Sequence, residues 1–294
     1  MSSVCTAARR ATALLMLGSV LLFNIATQPH DTHLDRQNVG RQLRHNRQQQ
    51  VPQQQEQAVA VEPLLKVVTK AAGPAAWNFA EPVGPTPATG DCSWTAFIPP
   101  GSRTNGTICL RAGADLLGDT IRQKKYWPEC ADLPALMAAA APSTTSGNAP
   151  VFLDIGANVG ACSLHMLLST EATVLSFEPG PDNAFYASQS LLRLMHGSDG
   201  VQDRPAVSNI AGRALLVRTA LGSQPSAEML LHQAVGNAGH AVIGFKPTQY
   251  APLGHVAAQK IIVRRLDDML WPPSARAMGA APPSIALLKM DVEG

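Results

Sequence analysis

The chain has 294 residues, 46% of them apolar, and 23 basic against 21 acidic side chains leave a net charge of +2. That length supports one sizeable core with appendages or two small domains, and the near balance of charge excludes a bulk electrostatic pull toward nucleic acid. The cations are unevenly placed: Arg9, Arg10, Arg36, Arg41, Arg44 and Arg47 lie near the amino end, where they belong to targeting and linker segments.

Residues 11–26 carry no charge and follow Arg9 and Arg10. A bilayer helix needs about 20 apolar residues, with a lower limit near 17, so residues 1–27 read as a signal anchor whose arginines keep the amino end cytosolic. A cleaved signal peptide is the rival, although Asn24-Ile25-Ala26 places a polar residue where a cleavage site wants a small one. An organelle transit peptide is the third reading; the stretch is too apolar for a good amphipathic presequence. The expected setting is the secretory pathway, membrane-anchored with a Golgi-type lumenal orientation, with secretion or organelle targeting as alternatives.

Residues 28–90 keep no apolar period. Gln48-Gln49-Gln50, Gln53-Gln54-Gln55 and Gln57 are followed by Pro74, Pro82, Pro85 and Pro87. Such composition does not bury enough surface to offset chain entropy, which predicts a disordered stem with a helical turn at most over residues 64–68. His30, His33 and His45 have no fixed spacing with other ligands, and no metal site is expected.

Residues 91–149 read as a small ordered subdomain with Trp94, Phe97, Ile108, Tyr126 and Trp127 as its bulk. In an oxidising lumen two of Cys92, Cys109 and Cys130 are expected to pair, and the sequence leaves open which. Asn105-Gly106-Thr107 is a glycosylation sequon consistent with that compartment. Cys162, further on, reads as a small buried thiol.

Residues 150–294 carry the chemistry. Val151-Phe152-Leu153-Asp154-Ile155 reads as a strand apolar on both faces, and the glycine-spaced Gly156-Ala157-Asn158-Val159-Gly160 turns it into a helix. The missing third glycine of G-x-G-x-x-G disfavours a pyrophosphate and with it a nicotinamide dehydrogenase. A second strand, residues 173–177, ends in Glu178-Pro179 at the distance usual for an acid that holds a ribose diol. Asp154, the bare-backbone turn and Glu178 together suit a nucleoside with an amino-acid tail, S-adenosylmethionine. Further strands are expected at residues 214–219 and 284–290, and shorter ones at 227–232 and 261–265 around a turn-rich insert, Gly236-Asn237-Ala238-Gly239-His240. Asp267 and Asp268 read as caps of a short helix.

The ordered series Leu153-Asp154-Ile155-Gly156-Ala157-Asn158-Val159-Gly160, Ser176-Phe177-Glu178-Pro179, Ala220-Leu221-Gly222, Leu266-Asp267-Asp268-Met269-Leu270 and Leu288-Lys289-Met290-Asp291-Val292-Glu293-Gly294 resembles the FkbM family of S-adenosylmethionine-dependent O-methyltransferases. The resemblance covers residues 150–294. It implies an α/β fold with the Rossmann-like, doubly wound, mostly parallel sheet of class I methyltransferases, and a hydroxyl-bearing acceptor. The secretory setting makes a glycan the leading acceptor. It assigns Asp154, Gly156, Ala157, Asn158, Gly160, Glu178, Pro179, Ala220 and Leu221 to the cofactor, with Ala220-Leu221 beside the adenine. Asp291 and Glu293 share one side of an extended segment. Asp291 is the candidate base or substrate-orienting residue and Glu293 its partner; capping of a following helix is the bland alternative for both. Similar enzymes continue beyond a fourth strand, so the fold is expected to be incomplete after it and the chain inactive alone, with an exposed apolar edge. A noncatalytic lumenal binding module is the alternative, and the oligomeric state stays open.

Overall fold

Strands apolar on both faces commit a chain to covering layers above and below. The computed structural model describes residues 64–292, apart from 78, 80, 82, 86–89, 114, 141–148, 197–208, 225, 235–236 and 245–254, and apart from the side chains of 234–240 and 255–258. The expected anchor and the first part of the stem lie outside the described residues, as does Glu293. Among the described residues no helix is long and apolar enough to cross a membrane.

In chain order the elements are α1 (Leu64–Ala72), β1 (Ser93–Phe97), β2 (Gly106–Leu110), α2 (Leu116–Lys124), α3 (Leu133–Ala140), β3 (Val151–Ile155), α4 (Ala161–Ser169), β4 (Thr173–Phe177), α5 (Pro181–His196), β5 (Ala214–Val217), β6 (Ala220–Leu221), β7 (Ser226–Ala234), β8 (Asn237–Gly244), β9 (His255–Arg264), α6 (Leu266–Leu270), α7 (Pro273–Ala277) and β10 (Leu287–Met290). The fold is α/β. Its central sheet has four parallel strands in the order β10-β3-β4-β5. Successive crossovers carry the chain from β3 outward to β4 and β5, whereas β10 returns to the other side of β3. The order therefore reverses between β3 and β10.

Alternation along these strands divides the core in two. Phe152, Val174, Ala214, Leu216 and Leu287 pack with Leu164 and Leu168 of α4, Tyr186 and Leu191 of α5, and Ile108 of β2. Val151, Leu153, Ile155, Leu175, Phe177, Leu215 and Val217 point the other way, onto Val68 and Ala72 of α1 and Met269 of α6.

That second layer corrects the expected stem. Residues 64–77 belong to the folded unit: Val68 and Ala72 are fully buried, and Trp77 is 5% exposed. The segment extends the sheet's hydrogen bonding, with the Trp77 N–H donating to the Leu216 carbonyl at 2.8 Å and the Arg218 N–H to the Ala75 carbonyl at 2.8 Å. Leu64, Leu65, Val68 and Ala72 recur at helical spacing. Proline punctuation obscured a short amphipathic helix whose stability comes from the sheet it covers.

Cysteine pairing meets the expectation for Cys92, Cys109 and Cys130, two of which pair, and departs from it at Cys162. Cys92 bonds Cys109 across the foot of the β1–β2 hairpin, Cα to Cα 5.0 Å, and Cys130 bonds Cys162 in α4 at 5.2 Å. Cys162 is therefore not a thiol. The second bridge ties the segment before α3 to the first helix of the glycine-turn region, and both segments contribute to one core cluster.

A second sheet, β6-β9-β7-β8, follows β5, with β7 antiparallel to both β8 and β9. Residues 237–240, expected in a turn-rich insert, belong to strand β8, which pairs antiparallel with β7. Asp267 and Asp268 do not cap: the residue at the cap of α6 is Arg265, and Asp268, inside the first turn, pairs with Arg265 at 2.7 Å and Arg276 at 2.8 Å.

Val68→Ala should lower the unfolding free energy by about 2 kcal/mol in urea melts of the full chain. Lys66→Ala, exposed on the same helix, should change it by no more than about 0.5 kcal/mol. Equal effects would show that α1 does not cover the sheet. Peptide mapping without reduction should recover Cys92 joined to Cys109 and Cys130 to Cys162; a free Cys162 thiol would contradict the second bridge.

Candidate functional site

β3 ends in a turn that only certain residues tolerate. Gly156, Asn158 and Gly160 take φ of 77°, 52° and 83°, the left-handed region where glycine is unstrained and asparagine is among the better-tolerated residues. A Cβ on Gly156 would run into the backbone carbonyl of Asp291. β10 thus leaves the sheet directly over the turn, and the Asp291 N–H donates to the Ile155 carbonyl at 3.0 Å.

The turn spends its donors on the protein itself. The N–H groups of Gly156 and Ala157 both donate to the Phe177 carbonyl at 2.9 and 3.0 Å, and that of Gly160 to the Ala157 carbonyl at 2.8 Å. Asn158 N–H donates to Glu178 Oε2 at 2.7 Å. Those four groups are not left pointing at a ligand, so the turn lacks the donor array of a phosphate cradle.

Beneath it lies a row of polar side chains across the sheet. Lys289, Asp154 and Ser176 are register partners on β10, β3 and β4, and all point to the α4 side. Asp154 is fully buried. Its Oδ2 accepts from Ser163 Oγ of α4 at 2.6 Å, Ser163 and Ser176 lie 2.7 Å apart, and Lys289 Nζ is 3.2 Å from Oδ1. The same ammonium donates to the Gly156 carbonyl at 2.9 Å and lies 3.6 Å from Asp291 Oδ2. Burial pulls the Lys289 pKa down, but the charges of Asp154, Asp291 and Glu178 and the hydrogen bond to Asp154 outweigh it, and the net shift is upward.

Glu178, at the end of β4, is 5% exposed. Besides the Asn158 N–H, it takes the Gly180 N–H at 2.8 Å and Asn183 Nδ2 at 3.3 Å on Oε1. Burial pushes its pKa up, while those donors and the charge of Lys289 hold the rise back. Asn183 is held in turn by Arg111 Nη2 at 2.8 Å, which reaches over from the end of β2.

Among the described residues, the expected cofactor and catalytic residues fall into two groups. Asp154, Gly156, Ala157, Asn158, Gly160, Glu178 and Pro179 converge at the carboxyl ends of β3 and β4, and Asp291 joins them from β10 with its side chain 63% exposed. Asp154 is not at the surface: it acts on the site only through Ser163 and Lys289. Ala220 sits in the core of the second sheet with Leu231, Ile261 and Val263, leaving Leu221 as the part-exposed member of that pair. Lys289, Ser163, Ser176, Asn183 and Arg111 were not singled out by motif reading. For Lys289 the signal was present, since a residue two before Asp291 on a strand shares its side.

Among the described residues the local charge is acidic, with Asp154, Glu178 and Asp291 around the ammonium of Lys289 and the Arg111 guanidinium behind Asn183. Comparison with family models, curated proteins and solved structures returns no match.

Lys289→Met should cost about 3–5 kcal/mol of stability by leaving the Asp154 carboxylate buried without its cation, and adding Asp154→Asn should restore part of the loss. The pH dependence has a definite sign. Because the folded-state pKa of Lys289 lies above the ordinary 10.5, its contribution is complete below that value and is lost as pH climbs through the raised one. Thermal melts should therefore fall more steeply above pH 10.5 for the wild type than for Lys289→Met.

Proposed function

We propose that residues 150–294 belong to a Rossmann-like, class I methyltransferase domain of the FkbM kind, binding S-adenosylmethionine and methylating a hydroxyl of a glycan or other sugar-containing acceptor. The observation that carries the proposal is the reversal of strand order between β3 and β10. Open α/β sheets bind ligands beyond the carboxyl ends of their strands at such a point. Here it gathers Gly156, Asn158, Glu178 and Asp291.

The residues present fit this cofactor better than a dinucleotide. The turn's donors are used internally, which disfavours a pyrophosphate, and the three carboxylates outnumber the cations of Lys289 and Arg111, which favours a ligand that carries positive charge. A carboxylate offers about four acceptor positions. Glu178 uses three, on Asn158, Gly180 and Asn183, and retains one for a ribose hydroxyl.

When bound, S-adenosylmethionine supplies a methyl group on a positively charged sulfur. The chain's part is positioning and proton handling. Lys289 ties β10 to the turn through Asp154 and the Gly156 carbonyl, which fixes where Asp291 leaves the strand. The exposed Asp291 carboxylate accepts a hydrogen bond from the acceptor hydroxyl, orients its oxygen and takes its proton, with Glu293 as partner. The two disulfides support an oxidising lumen, and the proposal places the enzyme there on the expected anchor of residues 1–27. A second reading, a noncatalytic binding module, draws on the internal use of Asp154 and the turn's donors.

Calorimetry on the full chain should find binding of S-adenosylmethionine and none of a nicotinamide dinucleotide. Glu178→Ala should weaken that binding by about tenfold or more, the worth of one hydrogen bond to a charged group. Asp291→Asn should leave affinity within about threefold, a change below 1 kcal/mol, and abolish whatever transfer of labelled methyl to sugar acceptors the wild type shows. Absence of binding defeats the proposal.

A further inference from the structure

We infer that Asn105 is a site of N-linked glycosylation, an inference independent of the methyltransferase reading. Among the asparagines of the sequence one alone stands in Asn-x-Ser/Thr with x other than proline, Asn105-Gly106-Thr107. It lies where the loop between β1 and β2 re-enters the hairpin, with Gly106 paired to Phe97 and Thr107 to Ala96. Asn105 is exposed and Thr107 half-buried.

The loop is presented, not packed away. Ile98 N–H donates to the Lys125 carbonyl at 2.6 Å, Arg103 N–H to the Leu168 carbonyl at 3.0 Å, and the Arg103 guanidinium pairs with Glu171. The Pro100 carbonyl lies 3.2 Å from His165 Nε2. These contacts hold the loop's base and leave its last residue outward. Packing accounts for the glycine of the sequon, since a Cβ on Gly106 would come within 3.1 Å of the Leu168 side chain.

Two further observations make the site usable. Of the five cysteines, Cys92, Cys109, Cys130 and Cys162 are joined in two bridges. Such bridges form and persist in the oxidising lumen where oligosaccharides are transferred to asparagine. The loop is also held to the carboxyl end of α4, while the candidate site adjoins that helix's amino end at Gly160. The eight-residue rise between Gly160 and Leu168 is about 12 Å, so a glycan on Asn105 projects from the end of the sheet opposite the site.

The co-reactant is a lipid-diphosphate-linked oligosaccharide, brought by the lumenal transferase that reads the sequon. A bond forms between Asn105 Nδ2 and the anomeric carbon of the first sugar, and the bond from that carbon to the diphosphate oxygen breaks. The lipid diphosphate leaves with the electron pair, and a base of the transferase takes the amide proton.

The test is expression of the full chain in eukaryotic cells, followed by peptide mapping and digestion with a glycan-releasing amidase. The expected result is a glycan on the Asn105 peptide, lost on digestion with conversion of Asn105 to aspartate and a gain in gel mobility. Asn105→Gln and Thr107→Ala should each abolish the mobility change, whereas Thr107→Ser should keep it. An unmodified Asn105 in protein whose two disulfides have formed overturns the proposal, as does a mobility change that survives Asn105→Gln. Unmodified protein with reduced cysteines overturns it too, by removing the compartment on which it rests.

Discussion

The ion pair between Lys289 and Asp154 is the contact on which the arrangement at the sheet's carboxyl edge depends. It joins β10 to β3 at directly opposed register positions, with the carboxylate fully buried. A pair in that setting contributes less to net stability than its geometry suggests, because both charges must be desolvated. What it fixes is position. The same ammonium reaches the Gly156 carbonyl and approaches Asp291, so one side chain sets the turn, the buried acid and the exposed acid relative to one another. A slip of β10 by one residue would send Lys289 to the other face, into the layer of Leu153 and Met269.

The glycines around this pair serve proximity between protein segments more than proximity to a ligand. Gly156 lets β10 cross the turn, and Gly160 lets α4 approach α5, where a Cβ would lie 3.3 Å from that of Ala187. The left-handed Asn158 then aims its N–H at Glu178, which links the first strand's turn to the second strand's acid. Through Asn183 and Arg111 the linkage continues to the end of β2, two residues past the disulfide cysteine Cys109.

Period and spacing made much of this legible. β3, β4, α4 and α5 follow from apolar runs bounded by glycine and proline, and the meeting of Asp154, the turn and Glu178 follows from two parallel strands ending at one edge. Less visible was anything whose stability comes from a distant partner. The nine residues of α1 are too few for a stable isolated helix, and Gln- and Pro-rich neighbours masked their apolar stripe. Cys162 looked like a core thiol because nothing local marks its partner 32 residues earlier. Ala220 was assigned by its place in a motif, but the second sheet turns it inward, and pairing across a long insertion is not written in neighbouring residues.

These misses share a cause that bears on how the chain is organised. A four-stranded parallel sheet exposes two apolar faces, and the crossover helices α4 and α5 lie on one of them. The opposite face has to be covered from elsewhere, and in the described residues α1 and α6 do so, from before and after the strands. Arg264, at the end of β9, donates to the Ala71 carbonyl at 2.7 Å, and Arg218, just past β5, to the Pro74 carbonyl at 2.8 Å. The amino-terminal segment is thus clamped by cations from the sheet it shields. A boundary drawn at the first motif strand would strip that face and expose Leu153, Leu175 and Val217 to water, so the functional unit around Asp154 begins in sequence well before the residues that identify it.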